Sequence, residues 1–107
     1  MHDDRTGQVA VIFRSHRTGA DDAGYAHAAT AMEMLAAHQP GYRGIDSVRG
    51  EDGTGVTISY WTDHAAAIAW RDNRDHAEIR ELGRARWYDS YEVAVATIER
   101  SYGWTRR

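Results

Sequence analysis

The sequence predicts an α+β domain of the split β-α-β, ferredoxin-like kind: a four-stranded antiparallel sheet with helices on one face. Three observations predict it. Short stretches alternate apolar and polar residues with period two, the segments between them repeat apolar residues at helical spacing, and the resulting order is β-α-β-β-α-α-β.

The first strand is "QVAVIFRS", with Val9, Val11 and Phe13 on one side and Ala10, Ile12 and Arg14 on the other. Asp21 and Asp22 are cap candidates for a helix in which Tyr25, Ala28, Ala29, Met32, Leu35 and Ala36 share a stripe, and Pro40-Gly41 ends it. "YRGIDSVRG" reads as a weaker second strand, because Ile45 and Val48 differ in parity and imply a bulge or twist. Asp52-Gly53 supplies a tight hairpin turn into "TGVTISYW", where Val56, Ile58 and Tyr60 oppose Thr57, Ser59 and Trp61. Asp63 caps a helix over 64–72. Asn73 caps another over 74–86, with Asp75 in its first turn. "SYEVAVATIERSY" closes the sheet, with Tyr91, Val93 and Val95 alternating against Glu92, Ala94 and Ala96.

Helices on one side leave the other sheet face bare. That face is too apolar for water, so a partner sheet is expected to cover it, most simply in a homodimer. Tyr102 and Trp104 are assigned to a tail that crosses to the partner.

Composition narrows the chemistry. A chain of 107 residues is expected to form a single domain over 1–107, burying roughly 65% of its unfolded surface. Its 42% apolar and 27% charged residues are ordinary for a globular protein. A net charge of -3 with scattered arginines argues against nucleic acid as a partner. No stretch approaches the roughly 18 apolar residues of a membrane span. The opening "MHDDRTGQ" lacks the basic-then-apolar pattern of a secretory signal, so a cytoplasmic location is expected. Without cysteine there is no thiolate nucleophile or sulfur-built metal site. All thirteen basic residues other than histidine are arginine, which removes Schiff-base lysine chemistry. His64, His76 and Glu78 have no metal-ligand spacing, and His2, His16, His27 and His38 read as surface positions, so no metal is expected. Serine nucleophile chemistry lacks its elbow motif.

"AIAWRDNRDHAEI" is the most informative stretch. In one continuous helix Trp70 and His76 would diverge by about 120°. The break at 72–75 is what lets both point inward. His76 falls at the third position of the new helix, on the face of Ile79 and of Leu82 or Gly83. The helix dipole there favours the neutral imidazole, which is the form a general base needs. The competing role is a core-edge histidine bonded to a backbone carbonyl or a tyrosine hydroxyl. Trp70 either walls a flat substrate or fills core space. Trp61, Trp87, Tyr88 and Tyr91 are candidates for further wall and phenolic donors. Arg14, mid-strand among apolar residues, either binds an anion or pairs with Glu92.

"VAVIFRS", "PGYRGIDSVR", "ISYW", "AIAWRDNRDH" and "WYDSYEVAVATIERSYG" together resemble the antibiotic biosynthesis monooxygenase family, from about residue 8 to 103. The resemblance implies a dimeric α+β barrel. It implies a monooxygenase that oxidises a small or polycyclic phenolic aromatic with molecular oxygen and no cofactor; on the residue reading above, His76 or a water it holds is then the catalytic base. Trp70, Trp61, Trp87, Tyr88, Tyr91 and Arg14 are then the substrate-binding candidates. The alternative is a dimeric module that binds a small aromatic, or serves a stress response, without turnover. Haem breakdown, which other family members perform, is disfavoured. Arg80 stands where those relatives carry an axial histidine, and "VIFRS" lacks the asparagine of their first strand.

Overall fold

Alternation and capping place the elements close to where the sequence puts them. The computed structural model describes residues 4–107 and contains β1 (Val9–Arg17), α1 (Asp22–Ala37), β2 (Tyr42–Arg49), β3 (Thr54–Trp61), α2 (His64–Arg71), α3 (Arg74–Leu82) and β4 (Tyr88–Thr97). His2 and the start of the acidic N-terminal stretch lie outside the described residues. Among the described residues no helix is long and apolar enough to cross a membrane.

The four strands form one antiparallel sheet in the order β2-β3-β1-β4, so the first strand is central and pairs with both β3 and β4. In this register Val11 meets Val95 and Ser59, and Phe13 meets Val93 and Thr57. That row faces the helices. The other face carries Ile12, Val56, Ile58 and Val48, the last 70% exposed. Ile45 and Val48 do lie on opposite faces, but no bulge separates them. The register slips earlier, between Tyr42 and Gly44.

Each helix starts on a side chain that accepts a free backbone N–H: Asp21 from Gly24 at 3.1 Å, Asp63 from Ala66 at 2.8 Å, and Asn73 from His76 at 3.1 Å. Gly41 (φ +84°) turns the chain from α1 into β2 where the backbone is left-handed. A Cβ there would meet Ala66 Cβ at 2.5 Å, so both conformation and space call for glycine.

The core lies between β1, β3 and the first two helices, and is built from Val9, Ala36, Trp61, Ala67 and Trp70. The stripe on α1 lands as expected. Ala36 is buried, and Tyr25, Ala28, Ala29, Met32 and Leu35 are half-buried.

Four expectations are corrected. The third helix ends at Leu82, not 86, and continues as a π-helical turn, Gly83–Trp87, whose i→i+5 bond runs from the Tyr88 N–H to the Gly83 carbonyl. Within it Gly83 is buried while Leu82 is 44% exposed, so Gly83 continues the inward face. The last strand runs Tyr88–Thr97, with Ile98 still bonded to Gly7 and Gln8, and does not extend to Tyr102. Arg14 sits on the face away from the helices, exposed and paired with Glu92 at 3.2 Å. Trp61 is 0% exposed and donates its indole N–H to Ser59 Oγ at 2.9 Å; it is core, not wall.

Candidate functional site

Between the helices and the sheet lies a cavity of about 280 Å³. That is the small end of the range for ligand sites, roughly 300–1,000 Å³. Its floor is the helix-facing row of the sheet, including Val11, Phe13, Ser59 and Val95. Its roof is α1 through Tyr25 and Met32, and one end is closed by Trp70, His76 and Arg80. Val93 and Val95 are half exposed, which leaves the cavity open along β4.

His76 reaches this cavity because Asn73 restarts the helix. Its Nδ1 lies 2.6 Å from the Trp70 carbonyl oxygen, and its ring stacks on the Trp70 indole at 4.1 Å between centroids, 15° from parallel. A carbonyl only accepts, so in the neutral ring Nδ1 carries the hydrogen and Nε2 is the basic nitrogen. Nε2 makes no hydrogen bond among the described residues. Burial lowers the His76 pKa below the usual 6.5. The bond to the Trp70 carbonyl opposes this, and the nearby Arg80 charge adds to it. The carbonyl contact is the one a structural histidine would make, and it leaves Nε2 without a partner among the described residues, in a ring that lines the cavity.

Trp70 stacks on Trp61 as well, at 5.7 Å and 25°. It is 7% exposed, so it offers the cavity an edge and not the broad face expected of it. The flat walls come from elsewhere. Phe13, Tyr25, Tyr88 and Tyr91 form a cluster with centroid separations from 5.1 to 6.1 Å, edge-to-face except for the Phe13–Tyr91 pair, which is tilted at 35°. Trp87, buried, packs edge-on against Tyr25 and is anchored by donating its indole N–H to Asp21 at 3.2 Å. Asp21 thus caps α1 and pins a cavity wall. The Trp87 bond first, then that of Gly24, holds its carboxyl below the usual range.

The π turn is what brings Trp87 and Tyr88, neighbours in sequence, to one cavity. Gly83 leaves room for it: a Cβ there would come within 2.8 Å of the Tyr88 ring. Burial, then the Tyr25 neighbour and its hydrogen bond, push the Tyr88 phenol up, so it remains a protonated donor. Tyr91 Oη accepts from Arg84 Nε at 2.6 Å, leaving its own O–H available.

Of the predicted residues, the structure gathers His76, Trp70, Trp87, Tyr88 and Tyr91 around one cavity and leaves Trp61 and Arg14 outside it. Phe13, Tyr25 and Arg80 were missed as wall residues. The signals were there: Phe13 shares parity with Val11, Tyr25 belongs to the helix stripe, and Arg80 is one helical turn from His76. Among the described residues no cluster of three or more histidine or acidic side chains could hold a metal ion.

Fold and cavity together define a ferredoxin-like α+β domain that keeps an aromatic-lined chamber between helices and sheet. The chain belongs to the antibiotic biosynthesis monooxygenase family, whose sequence model matches residues 8–82. It is 46% identical over 91 residues to YqjZ of Bacillus subtilis, itself uncharacterised, covering 85% of this chain and 79% of that protein. Its fold is that of SnoaB, a cofactor-independent oxygenase from Streptomyces nogalater: TM-score 0.77, 22% identity, 90% of this chain and 97% of that one. Rv0793 from Mycobacterium tuberculosis shares it at TM-score 0.74 and 19% identity, over 84% of this chain and 93% of that one.

Proposed function

We propose that the chain is a cofactor-independent monooxygenase that oxidises a small phenolic or polycyclic aromatic with molecular oxygen, with His76 as its general base. The observation that carries this reading is an imidazole whose Nδ1 is held by the Trp70 carbonyl while Nε2 stays uncommitted at an aromatic-walled cavity, where burial favours the neutral ring. Nε2 takes a proton from the substrate, leaving an electron-rich phenolate or carbanion. That anion passes an electron to oxygen and the pair combine as a carbon-bound peroxide. Cleavage of the O–O bond then leaves one oxygen as a new carbonyl and releases the other as water, with the two hydrogens lost from the substrate. The protein contributes orientation, exclusion of water, and phenolic donors from Tyr88 and Tyr91 to the developing oxyanion.

Oxygen uptake by the purified protein with a panel of anthrones and dihydroxynaphthalenes, without added cofactor, tests this. Uptake with the matching quinone as product is the expected outcome. Ligands that bind without consuming oxygen would sink the enzyme reading and leave a binding module.

The same proposal includes a homodimer, formed over the uncovered face of Ile12, Val48, Val56 and Ile58, and a cytoplasmic location. Sedimentation equilibrium is expected to return twice the chain mass, and Ile58→Asp to shift it toward one. A monomer in the parent protein would remove the dimer from the proposal.

A further inference from the structure

Resting on that proposal, we infer that Arg80 is the oxyanion partner of the site. Its guanidinium holds the phenolate oxygen of the substrate once His76 has taken the proton.

Arg80 follows His76 by four residues on α3, so both side chains share one face, and both line the cavity. Its guanidinium is nearly uncommitted. Nη1 makes a single long bond, 3.4 Å to the Arg71 carbonyl; Nε is shut off from solvent without an acceptor; and Nη2 has no hydrogen bond among the described residues. No carboxylate pairs with it at ion-pair distance among those residues; its nearest acidic influence is Asp72, which is bonded to Arg71 and whose carboxyl the Arg80 charge helps to lower.

Apart from the neutral phenols of the lining tyrosines, which can donate but carry no charge, the other charged and titratable groups at the cavity are occupied or of the wrong sign. Arg71 is tied to Asp72 at 2.9 Å. His64 Nε2 lies 3.1 Å from Thr97 Oγ1. Glu33 is an exposed carboxylate that repels an anion.

The energetics of proton transfer point the same way. Burial and the Arg80 charge both disfavour an imidazolium at position 76, so moving a proton there from a phenol is uphill as the site stands. An anion formed against Arg80 offsets that cost, because the charge that opposes the imidazolium favours the phenolate. A guanidinium suits the task through its planar donors, which make short charge-assisted bonds to oxygen anions. The substrate class follows: an aromatic whose ionisable hydroxyl, rather than a neutral carbonyl alone, lies at the α3 end of the cavity.

The test is the ionisation of a bound chromophoric phenol, 4-nitrophenol, whose acid and anion absorb at different wavelengths. The parent protein is expected to lower the apparent pKa of the bound probe by about one unit, a tenfold gain in phenolate. Arg80→Gln is expected to abolish the shift. Arg80→Lys, which keeps the charge but loses the fork, should retain part of it and serves as the test if the glutamine variant does not fold. A full shift in Arg80→Gln, a Lys variant equal to or above the parent, an unshifted bound probe, or a probe that does not bind each overturns the inference. The readout needs no turnover. Phenolate binding without oxygen uptake would sink the oxygenase reading alone, and uptake with an unshifted probe would sink the Arg80 assignment alone.

Discussion

A His76→Ala variant is expected to keep its fold and lose turnover by roughly 10²–10⁴-fold, the usual share of a positioned general base. The fold survives because His76 is half-buried at the cavity rim and its backbone N–H, not its ring, receives the Asn73 cap. His76→Gln should lose a similar factor, since its amide can reach toward the Trp70 carbonyl but takes no proton. The parent's kcat/KM should fall on the acid side as pH drops through the His76 pKa, below 6.5 because burial and Arg80 favour the neutral ring. Both variants should lack that limb. The stability sign follows from the same shift. Between the lowered folded value and about 6.5 the unfolded chain binds more protons, so stability rises with pH across that window and is level above it. Turnover within a few-fold of the parent in either variant, or an unchanged acid limb, would remove His76 as the base.

Much of this fold is written in short-range signals. Period-two alternation in β1 and β3, and Asp21, Asp63 and Asn73 acting as caps, are read within a few residues and were read correctly. So was the break that turns Trp70 and His76 toward one place. What failed depends on distance. Arg14 fails only as a substrate-binding residue: Arg14 and Glu92 are 78 residues apart, and the β1–β4 register places them opposite each other, in the ion pair that is its other sequence reading. Trp61 and Ser59 share a face, but which of them reaches the cavity depends on how α2 packs across β3, which no local pattern encodes. The π turn was missed because Gly83-Arg84-Ala85-Arg86 continues a helical composition. Within it Gly83 lies against the Tyr88 ring, a contact between residues five apart across a change of element that no local pattern encodes. The walls were only half visible for a related reason. Aromatics announce themselves by type, but their choice of cavity or core is made by rings elsewhere in the chain.

Trp70→Ala is expected to produce the largest loss of stability, about 3–5 kcal/mol, the range for truncating a buried large aromatic. Trp70 is 7% exposed, stacks on Trp61 and His76, and packs in the cluster that joins α2 to β1 and β3. Truncation would leave a void beside a fully buried Trp61 whose ring contacts cannot be replaced by relaxation of the sheet. Urea titration should show the midpoint falling with little change in slope, because the exposed surface of the unfolded chain is nearly the same. The backbone carbonyl that orients His76 remains in this variant, while the ring that flanks the imidazole is gone. Activity in the folded fraction is therefore expected to fall through loss of His76 orientation, appearing in kcat more than in KM, since Trp70 offers the substrate only an edge. Trp70→Phe should recover most of the stability and part of kcat. A Trp70→Ala protein as stable as the parent, with weakened binding of flat ligands as its main defect, would instead make Trp70 the substrate wall and return the stacking with His76 to a minor role.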